Sequence, residues 1–327
     1  WGCSTRNGGQ AQISAGRLKR SQWIARWGVD VARKLHAEIS EGFDLFRSLI
    51  REPEINCDPQ DGGHLYIAHR DKVLPGLESE VRVLNDTFGY KARMVSRGEI
   101  HSDFARDEEA RGAMYEPDGM GIHAAKLAFG YLNLARKLGA KVHTASPVLS
   151  CTSKGGMHYL STPGGTVRAR AVCIATAGYT SPDMNALTRR RLMPILSNSV
   201  VTRVLTDSER QALNFKTRIP LTDTRTLRHY YRMMPDGRVQ IGSRSAITGR
   251  DASNPKHLEL LLAGLYAVYI FIVSSIFPSA APGLPLEAQT LRDPEQKMMP
   301  SRILGAVAAA GFAYLIGGDP RLQVPRR

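Results

Sequence analysis

The residues with the clearest chemical potential form a small, polar, glycine-rich loop at the start of the chain. The loop reads Gly2-Cys3-Ser4-Thr5-Arg6-Asn7-Gly8-Gly9-Gln10, and a long helical pattern follows it. Glycines let backbone N–H groups approach an anionic ligand closely, and the start of a helix adds favourable partial charge. A frayed terminus has the same composition. The loop is therefore a candidate anion-binding site with a purely structural alternative.

The charge and the cysteines restrict the classes of partner. Lys and Arg number 44 against 30 Asp and Glu, and this excess of +14 favours anionic partners at long range. The basic residues are not interleaved with aromatics as in a nucleic-acid groove, so a solvated basic surface is the preferred interpretation and nucleic acid is disfavoured.

The cysteines Cys3, Cys57, Cys151 and Cys173 lie far apart, which predicts no metal site, no disulfide scaffold and a reducing, cytoplasmic location.

The apolar periodicity predicts the helices that must position these groups. Apolar residues recur at three- and four-residue steps from Ser21 to Arg51, which indicates one long helix or two. Further helices are predicted at Val73–Phe88, from about Ser96, and at His123–Leu138, with Gly139 at the C-terminal cap.

Alternation and turn residues predict the strands. The predicted strands are His64–His69, Lys91–Val95, Gly112–Glu116, Lys141–Leu149, Gly156–Thr162, Thr166–Ala175, Ile195–Val204, His229–Met234 and Arg238–Gly242, with Pro117–Gly121 as a turn. The apolar run from Ala171 to Gly178 indicates a strand that returns into a buried parallel sheet. The later strands form a second, antiparallel sheet, so the fold class is mixed α/β.

A family resemblance adds to this interpretation. The run Ser-Thr-Arg-Asn-Gly-Gly-Gln resembles the Ser-Gly-Arg-Asn-Gly-Gly-Gln loop of the D-amino-acid-oxidase-like flavoproteins, in particular their γ-glutamylputrescine oxidoreductase branch. Matching residues continue in order over roughly residues 2 to 270; they include Gly28–Glu41, Cys57-Asp58, Gly62-Gly63-His64-Leu65-Tyr66, Gly121-Ile122-His123, Val172–Tyr179 and Tyr230-Tyr231-Arg232.

The resemblance implies a fold and a cofactor. It implies a doubly wound FAD-binding domain, incomplete here, interleaved with a substrate domain on an antiparallel sheet. The implied cofactor-binding residues are the loop residues Ser4, Thr5, Arg6, Asn7, Gly8, Gly9 and Gln10, then Val148 at the adenine, and Ala175, Ala177 and Gly178 over the dinucleotide. The implied division assigns 1–60 and 140–185 to the FAD-binding remnant, 61–139 and 186–256 to the substrate domain, and 257–327 to a divergent apolar segment.

Two departures from the family pattern accompany this resemblance. The opening strand, the GxGxxG turn and the acidic residue for the adenosine ribose would lie before Trp1, and nothing in the chain substitutes for them. The chain also lacks an initiator Met, so it is expected to begin inside a longer protein. Without the dinucleotide-binding start, the fragment is expected to be inactive. After about Tyr269 the family pattern is no longer recognisable, which a shifted reading frame or divergence would explain.

The resemblance also suggests substrate residues. His123 occupies the position of a family His-Pro pair, although Ala124 replaces the Pro, and a helix-capping role is the alternative. Tyr231 and Arg232 are candidates for the substrate cavity because Arg suits carboxylates, and packing of one sheet face is the alternative. No Ser/His/Asp set or carboxylate pair is visible, so no catalytic residue is assigned.

The implied function is oxidation of a C–N bond in an amine or amino acid, with a γ-glutamylputrescine-like compound among the candidates. The flavin accepts a hydride, and oxygen or another acceptor reoxidises it. A flavoprotein oxidase for a modified tRNA base is a second hypothesis, because +14 would help to hold RNA.

The third hypothesis is a non-enzymatic, degenerate or membrane-associated fragment. Leu260–Phe277 is long enough to span a bilayer. Tyr266 and Tyr269 fall in mid-span, where a buried helix is the better interpretation, so a membrane anchor stays the disfavoured alternative.

Overall fold

The computed structural model describes residues 3–13, 18–181, 184, 188–189, 191, 196–225 and 228–246. The chain forms two compact units. The first contains the described residues of Trp1–Leu134 and Ser197–Ser245, and the second those of Ala135–Leu196 together with Ala246. The predicted assignment of residue ranges to an FAD-binding remnant and a substrate domain is a separate matter and stays a prediction.

Helices of the described residues follow the predicted apolar periodicity closely. They are α1 (Arg20–Trp27), α2 (Val29–Leu49), α3 (Leu74–Phe88), α4 (Arg97–Glu99), α5 (Ala124–Lys137) and α6 (Asp207–Leu213). The long amphipathic pattern becomes two helices because Gly28 adopts φ +81°, a conformation that breaks the helix. The helix predicted from Ser96 is only the short α4, and a π-helical turn at Ile100–Phe104 continues it.

The strands of the described residues form three sheets. They are β1 (Gln10–Gln12), β2 (Gln60–Asp61), β3 (His64–Ala68), β4 (Arg93–Ser96), β5 (Gly112–Glu116), β6 (Gly119–Gly121), β7 (Ser150–Lys154), β8 (Met157–Thr162), β9 (Gly165–Ala169), β10 (Leu196–Val201), β11 (Leu221–Asp223), β12 (Tyr230–Met233) and β13 (Val239–Ala246). The largest sheet has seven strands in the order β10-β13-β12-β11-β3-β5-β4. Strands β11 and β3 are parallel in this sheet, with Leu221 opposite Leu65.

The two faces of the seven-stranded sheet differ in chemistry. Successive side chains of a strand point to opposite faces. One side, the core face, carries Leu65, Ile67, Leu221, Tyr231 and Ile241 in the main hydrophobic cluster of the first unit. The other side, the polar face, carries His64, Tyr66, Glu116, Thr222, Arg232 and Gln240, linked by hydrogen bonds or by register.

A three-stranded sheet, β1-β6-β2, connects the glycine-rich loop to the rest of the first unit. Strand β6 lies within the segment Pro117–Gly121, which the turn residues predicted as a turn only. That prediction was incomplete because β6 pairs with both neighbours, Gly121 lying opposite Gln10 and Gln60. Pairing with two distant strands cannot be inferred from turn residues alone.

The second unit contains the antiparallel meander β7-β8-β9. The strand predicted at Lys141–Leu149 is wrong, since the first strand is β7, which begins at Ser150. The buried strand predicted across Ala171–Gly178 is also wrong, because the run forms no strand and most of it is exposed. A strand of a parallel sheet depends on hydrogen-bonded neighbours, and no described strand pairs with this run.

The apolar C-terminal segments, including Leu260–Phe277, lie outside the described residues. Within the described ranges, no helix combines the length and the apolar character needed to cross a membrane.

Candidate functional site

The glycine-rich loop is folded by the side chain of Asn7. Its Nδ2 donates to the carbonyl oxygens of Cys3 at 3.0 Å and Ser4 at 3.2 Å, and its Oδ1 accepts from the Gly9 backbone N at 2.8 Å. An Asn side chain that satisfies nearby backbone groups in this way stabilises a tight turn. Asn7 therefore shapes the loop, and its two donor hydrogens are directed at the loop's own carbonyls.

Gly8 and Gly9 of the loop lie where a larger residue does not fit without a shift of its neighbours. Gly9 has φ +59°, and a Cβ there would collide with the Ile122 carbonyl oxygen and lie 2.7 Å from Arg232 Nη2. A Cβ on Gly8 would lie 2.7 Å from the ring of Tyr230. The loop is held in place by a hydrogen bond from the Ile122 N to the Gly9 carbonyl oxygen at 2.7 Å. Glycine is required at position 9 by both conformation and close approach, and it is favoured at position 8 by close approach alone.

Arg232 is the buried cation of the polar face. Its side chain lies against the loop, and the residue is 3% exposed. Nη2 donates to the Ile122 carbonyl oxygen at 2.7 Å, while the buried Nη1 has no partner among the described residues. Burial lowers the pKa of Arg232 to about 10, and no carboxylate of the described residues pairs with it. A buried charge normally has a compensating partner, so this guanidinium has the capacity to bind an anion or an acceptor oxygen.

A chain of polar contacts runs from the loop along the polar face. Gln10 Oε1 accepts from Thr222 Oγ1 at 3.4 Å, and Thr222 Oγ1 lies 3.0 Å from His64 Nε2. His64 Nδ1 lies 3.1 Å from Glu116 Oε2. Gln240 Nε2 reaches the Asn7 carbonyl oxygen at 3.4 Å. The loop and four strands of the large sheet thus share one continuous polar surface.

A cavity of about 140 Å³ opens beside this polar surface. Residues of α1 and α3 form one wall, and His64, Tyr66, Glu116 and Thr222 of the polar face form the other. Each water molecule occupies about 30 Å³ in the liquid, so the cavity has room for a small polar group of a ligand.

The structure brings together two of the predicted groups of site residues. Gly9 lies beside Arg232, and both residues are hydrogen-bonded to Ile122. Gly8 lies beside the ring of Tyr230, and Gln10 contacts Thr222. Ser4 and Arg6 lie at the exposed start of the loop, and Thr5 is half-buried. The cofactor-binding role of all these residues stays a prediction.

The other two predicted substrate residues lie elsewhere. Tyr231 is 1% exposed in the core face, where its hydroxyl donates to Asp107 Oδ2. His123 is exposed, and its Nδ1 accepts from the Lys126 backbone N at 3.4 Å, a contact that caps the start of α5. These contacts agree with the structural alternative for each residue.

Val148, Ala175, Ala177 and Gly178 belong to the second unit. Val148 is half-buried before β7, and the other three are exposed. A short 3-10 turn covers Ala177–Tyr179, and Ala177 adopts φ +46°.

The sequence interpretation missed four polar residues of the polar face. His64, Glu116 and Thr222 line the cavity, and Gln240 contacts the glycine-rich loop. The alternation of His64, Leu65 and Tyr66 could have indicated a strand with one polar side. Thr222 lies in a strand of three residues, which is too short to show an alternating sequence pattern. It contacts His64, which is 158 positions away in the sequence.

Comparison with known proteins adds a decisive observation. A family model described as FAD dependent oxidoreductase (DAO) matches residues 1–291. The chain belongs to this family. The resemblance predicted from the loop and its companion motifs is therefore confirmed, and FAD is the cofactor of the family.

Two relatives of the FAD-dependent oxidoreductase family match most of the chain. The γ-glutamylputrescine oxidoreductase of Escherichia coli (strain K12) is 28% identical over 262 residues, covering 79% of this chain and 59% of that protein. The probable oxidoreductase OrdL of Rhizobium meliloti (strain 1021) is 26% identical over 266 residues, covering 79% of this chain and 58% of that protein. The chain therefore spans less than two thirds of the length of these relatives.

Solved structures share the fold. Glycine oxidase from Geobacillus kaustophilus has a TM-score of 0.57 at 18% identity, covering 85% of this chain and 68% of that one. The FAD-bound L-α-glycerophosphate oxidase from Mycoplasma pneumoniae has a TM-score of 0.58 at 16% identity, covering 87% of this chain and 70% of that one. The predicted mixed α/β fold class is confirmed by these neighbours.

The donors on the polar face fit the ring of the family's cofactor. Arg232 Nη1 and Gln10 Nε2 are buried and have no partner among the described residues. Buried donors are normally satisfied by an acceptor. A flavin ring offers carbonyl oxygens and an unprotonated ring nitrogen, which are acceptors of the required kind.

Proposed function

We propose that this chain contributes the flavin-ring and substrate side of an FAD-dependent oxidoreductase that oxidises a C–N bond of a small amine or amino acid. The observation that carries the proposal is the buried Arg232, without a carboxylate partner in the described part of the chain, against the glycine-rich loop. In a region of low dielectric constant an uncompensated guanidinium strongly favours an acceptor that carries negative charge.

The loop and the polar face have separate roles in this proposal. Gly8 and Gly9 allow the backbone to approach the flavin ring, while Arg232 and Gln10 donate hydrogen bonds to it. Ser4, Thr5, Arg6 and Asn7 present or shape the start of the loop. Val148, Ala175, Ala177 and Gly178 contact the adenine side of the dinucleotide, and residues 1–60 and 140–185 belong to the FAD-binding domain. FAD, when bound, supplies the redox chemistry by accepting a hydride from the carbon next to nitrogen.

The polar face positions the substrate in this scheme. Hydride transfer to a cofactor needs orientation more than a protein nucleophile, so we assign no catalytic base. His64, Thr222 and Glu116 offer hydrogen-bonding groups along the polar face. Because the relative of known activity is named a γ-glutamylputrescine oxidoreductase, we include amines of that class among the substrates. Oxygen or another acceptor would reoxidise the cofactor.

The location that we propose is cytoplasmic, because the four scattered cysteines are free and a reducing compartment keeps them so.

The first experiment measures FAD binding directly. We expect the purified chain to bind FAD, seen as quenching of flavin fluorescence in a titration. Arg232→Met should weaken the binding by roughly 10- to 100-fold, because a hydrogen bond to a charged group contributes about 1.5–3 kcal/mol. Arg210→Met, on the exposed side of α6, is the control and should leave the binding unchanged.

A second measurement tests the reaction class. Under anaerobic conditions an amine or amino-acid substrate should bleach the visible absorbance of the bound flavin, and a matched alcohol should not. A chain that binds no FAD, or an Arg232→Met variant that binds FAD as the unaltered chain does, contradicts the proposed role of Arg232. Bound flavin that no amine or amino acid reduces contradicts the proposed reaction.

A further inference from the structure

The side-chain amide of Gln10 offers a donor or an acceptor to a ligand, depending on which way it is turned. The backbone of Gln10 is fixed in β1, opposite Gly121 of β6. Turning the amide over exchanges an oxygen that accepts for an NH2 group that donates. In the structure Oε1 accepts from the Thr222 hydroxyl at 3.4 Å, and the buried Nε2 has no partner among the described residues. The contact with Thr222 therefore decides that the donor is the available group.

The hydroxyl of Thr222 lies between Gln10 and His64. Its Oγ1 is 3.4 Å from Gln10 Oε1 and 3.0 Å from His64 Nε2. A hydroxyl has a single hydrogen to donate, and an amide oxygen can only accept. The hydrogen of Thr222 is consequently directed to Gln10. His64 Nε2 must then carry a hydrogen of its own and donate it to Thr222 Oγ1.

A hydrogen on His64 Nε2 restricts what the other ring nitrogen can do. Nδ1 lies 3.1 Å from Glu116 Oε2, and the two residues are directly opposite each other in β3 and β5. A contact of this length needs a hydrogen between the two atoms. Either an imidazolium donates it to a carboxylate, or a carboxylic acid donates it to a neutral imidazole. In both forms the pair of side chains has no net charge.

The surroundings of His64 and Glu116 favour this uncharged pair. Their side chains are 4% and 14% exposed, and burial of a net charge is costly. Four other charged groups line the same cavity, and they are Lys19, Arg20, Glu80 and Arg228. None of these groups takes up a nitrogen of the His64 ring, because Glu116 and Thr222 occupy both nitrogens.

We propose that Glu116, His64 and Thr222 form a positioning relay that keeps Gln10 Nε2 available to donate a hydrogen bond to the flavin ring. Each hydrogen in the relay fixes the direction of the next one, from Glu116 through His64 and Thr222 to Gln10. The three residues act through Gln10, so they are positioning residues and not catalytic ones. This inference rests on the proposed function, which assigns Gln10 to the flavin, and it adds the residues that orient the amide.

The opposite orientation of the amide would be unfavourable with the cofactor bound. A flavin ring offers acceptors, and an amide oxygen turned toward it would place acceptor against acceptor in a buried region. The relay prevents this arrangement before the cofactor binds, and preorganisation of this kind increases affinity.

The first test is a double-mutant cycle on FAD affinity, measured with the full chain by quenching of flavin fluorescence. Thr222→Val removes the hydroxyl and keeps nearly the same shape. We expect it to weaken FAD binding by about 3- to 10-fold, as for one hydrogen bond between uncharged groups. In the Gln10→Met background the same substitution should change the affinity by less than about twofold, because no amide is left to orient.

Two further variants separate this role from packing. Thr222→Ser retains the hydroxyl and loses a methyl group, so it should bind FAD within about twofold of the unaltered chain. Thr224→Val is the matched control, because the Thr224 hydroxyl also contacts a histidine, with Oγ1 2.7 Å from His69 Nδ1. That contact lies outside the relay, and Thr224 does not line the cavity. Thr224→Val should leave the affinity for FAD unchanged.

A second measurement tests the hydrogen positions in the chain without FAD. NMR spectra of the full chain with isotope-labelled histidines should show a hydrogen on His64 Nε2. The signal is assigned by its absence from the spectrum of His64→Gln. The Thr224→Val variant should retain the signal of His64 unchanged.

Any of three results would overturn the relay. They are a His64 ring whose Nε2 has no hydrogen, a Thr222→Val variant that binds FAD as tightly as the unaltered chain, and an equal loss from Thr222→Val with and without the Gln10 amide. Failure of the proposed function is distinguishable. It shows as absent FAD binding by the unaltered chain while the hydrogen remains on His64 Nε2.

Discussion

The two faces of the seven-stranded sheet use adjacent residues of the same strands for different purposes. On the core face, Leu221 and Tyr231 are 0% and 1% exposed and belong to the main hydrophobic cluster. Their neighbours Thr222 and Arg232 are nearly as buried, at 6% and 3%, yet they carry polar groups on the other side. Burial alone therefore does not separate the residues that pack in the core of this unit from those that we propose to face the cofactor and substrate; the direction of the side chain does.

The largest expected effect is on the core face. Leu221→Ala should lower the free energy of unfolding by roughly 2–5 kcal/mol, because it removes buried methyl groups and leaves a cavity. Urea unfolding followed by circular dichroism measures the loss. Leu45→Ala on α2 is the control, since Leu45 is 59% exposed, and it should change the stability little. Equal losses in the two variants would mean that the core face is not packed as described.

A second substitution tests the close approach of the glycine-rich loop to the polar face. Gly9→Ala should destabilise more than Gly89→Ala. Both glycines have positive φ, +59° and +66°, which costs an alanine about 1–2 kcal/mol, but only Gly9 has atoms in the path of a Cβ. The comparison of the two unfolding free energies isolates the collision with Ile122. Equal losses would place the loop away from Ile122 and Arg232.

A third substitution sharpens the role of Tyr231. Tyr231→Phe removes a donor from the buried Asp107, which should cost about 1–3 kcal/mol while leaving FAD binding unchanged. Burial raises the pKa of Asp107, and the Tyr231 hydrogen bond opposes that rise. Because the pKa of Asp107 is raised in the folded protein, ionisation of this carboxyl lowers the free energy of unfolding as the pH rises above the unfolded pKa of 3.8. The deficit of the variant should therefore grow as the pH is raised.

Unfolding of Tyr231→Phe by urea at about pH 5 and about pH 8 measures this dependence. Tyr115→Phe is its control, because the Tyr115 hydroxyl donates to the Gly62 carbonyl oxygen at a more exposed position. A Tyr231→Phe variant that loses FAD binding but not stability would move Tyr231 from the core face to the substrate site.

The smallest effect concerns His36, in the helical layer that covers the polar side. Its ring packs against Phe88 and Tyr90 at 4.8 and 5.5 Å. Burial lowers the pKa of His36 below its ordinary 6.5, and the charge of Arg20 lowers it further. The stability that this neutral imidazole contributes is present above pH 6.5 and is lost as the pH falls below it.

Scanning calorimetry of the unaltered chain should accordingly show a falling Tm between about pH 7.5 and about pH 5.5. His36→Phe should make this decline shallower, and His143→Phe, at an exposed position, should leave it as it is. An unchanged decline in His36→Phe would show that the acid sensitivity has another origin.

Much of the secondary structure could be predicted because its signals are local. The helix predicted at Val73–Phe88 corresponds to α3, and the strand predicted at Gly112–Glu116 is β5 itself. Apolar spacing and turn residues fix such elements within a few residues. The wrong strand across Ala171–Gly178 illustrates the limit, because an apolar run shows that burial would be favourable without showing which surface could provide it.

The candidate site was predicted in part for the same reason. The glycine-rich loop was recognisable because its residues are consecutive, and Arg232 was found through its motif. Thr222 and Glu116 have no motif, and they join the site only because strands distant in the chain pair with one another. Gln240 also has no motif, but it lies opposite Arg232 in the local hairpin of β12 and β13.

The sequence by itself determined the tight turn around Asn7, the amphipathic helices and the alternation of side chains along the strands. Each depends on residues a few positions apart and on backbone geometry. Only the tertiary structure decided that Arg232 lies against Gly9 and that the cations of α1 meet Arg228 at one cavity. Strand order and register bring these groups together, and both are set by the packing of the whole unit.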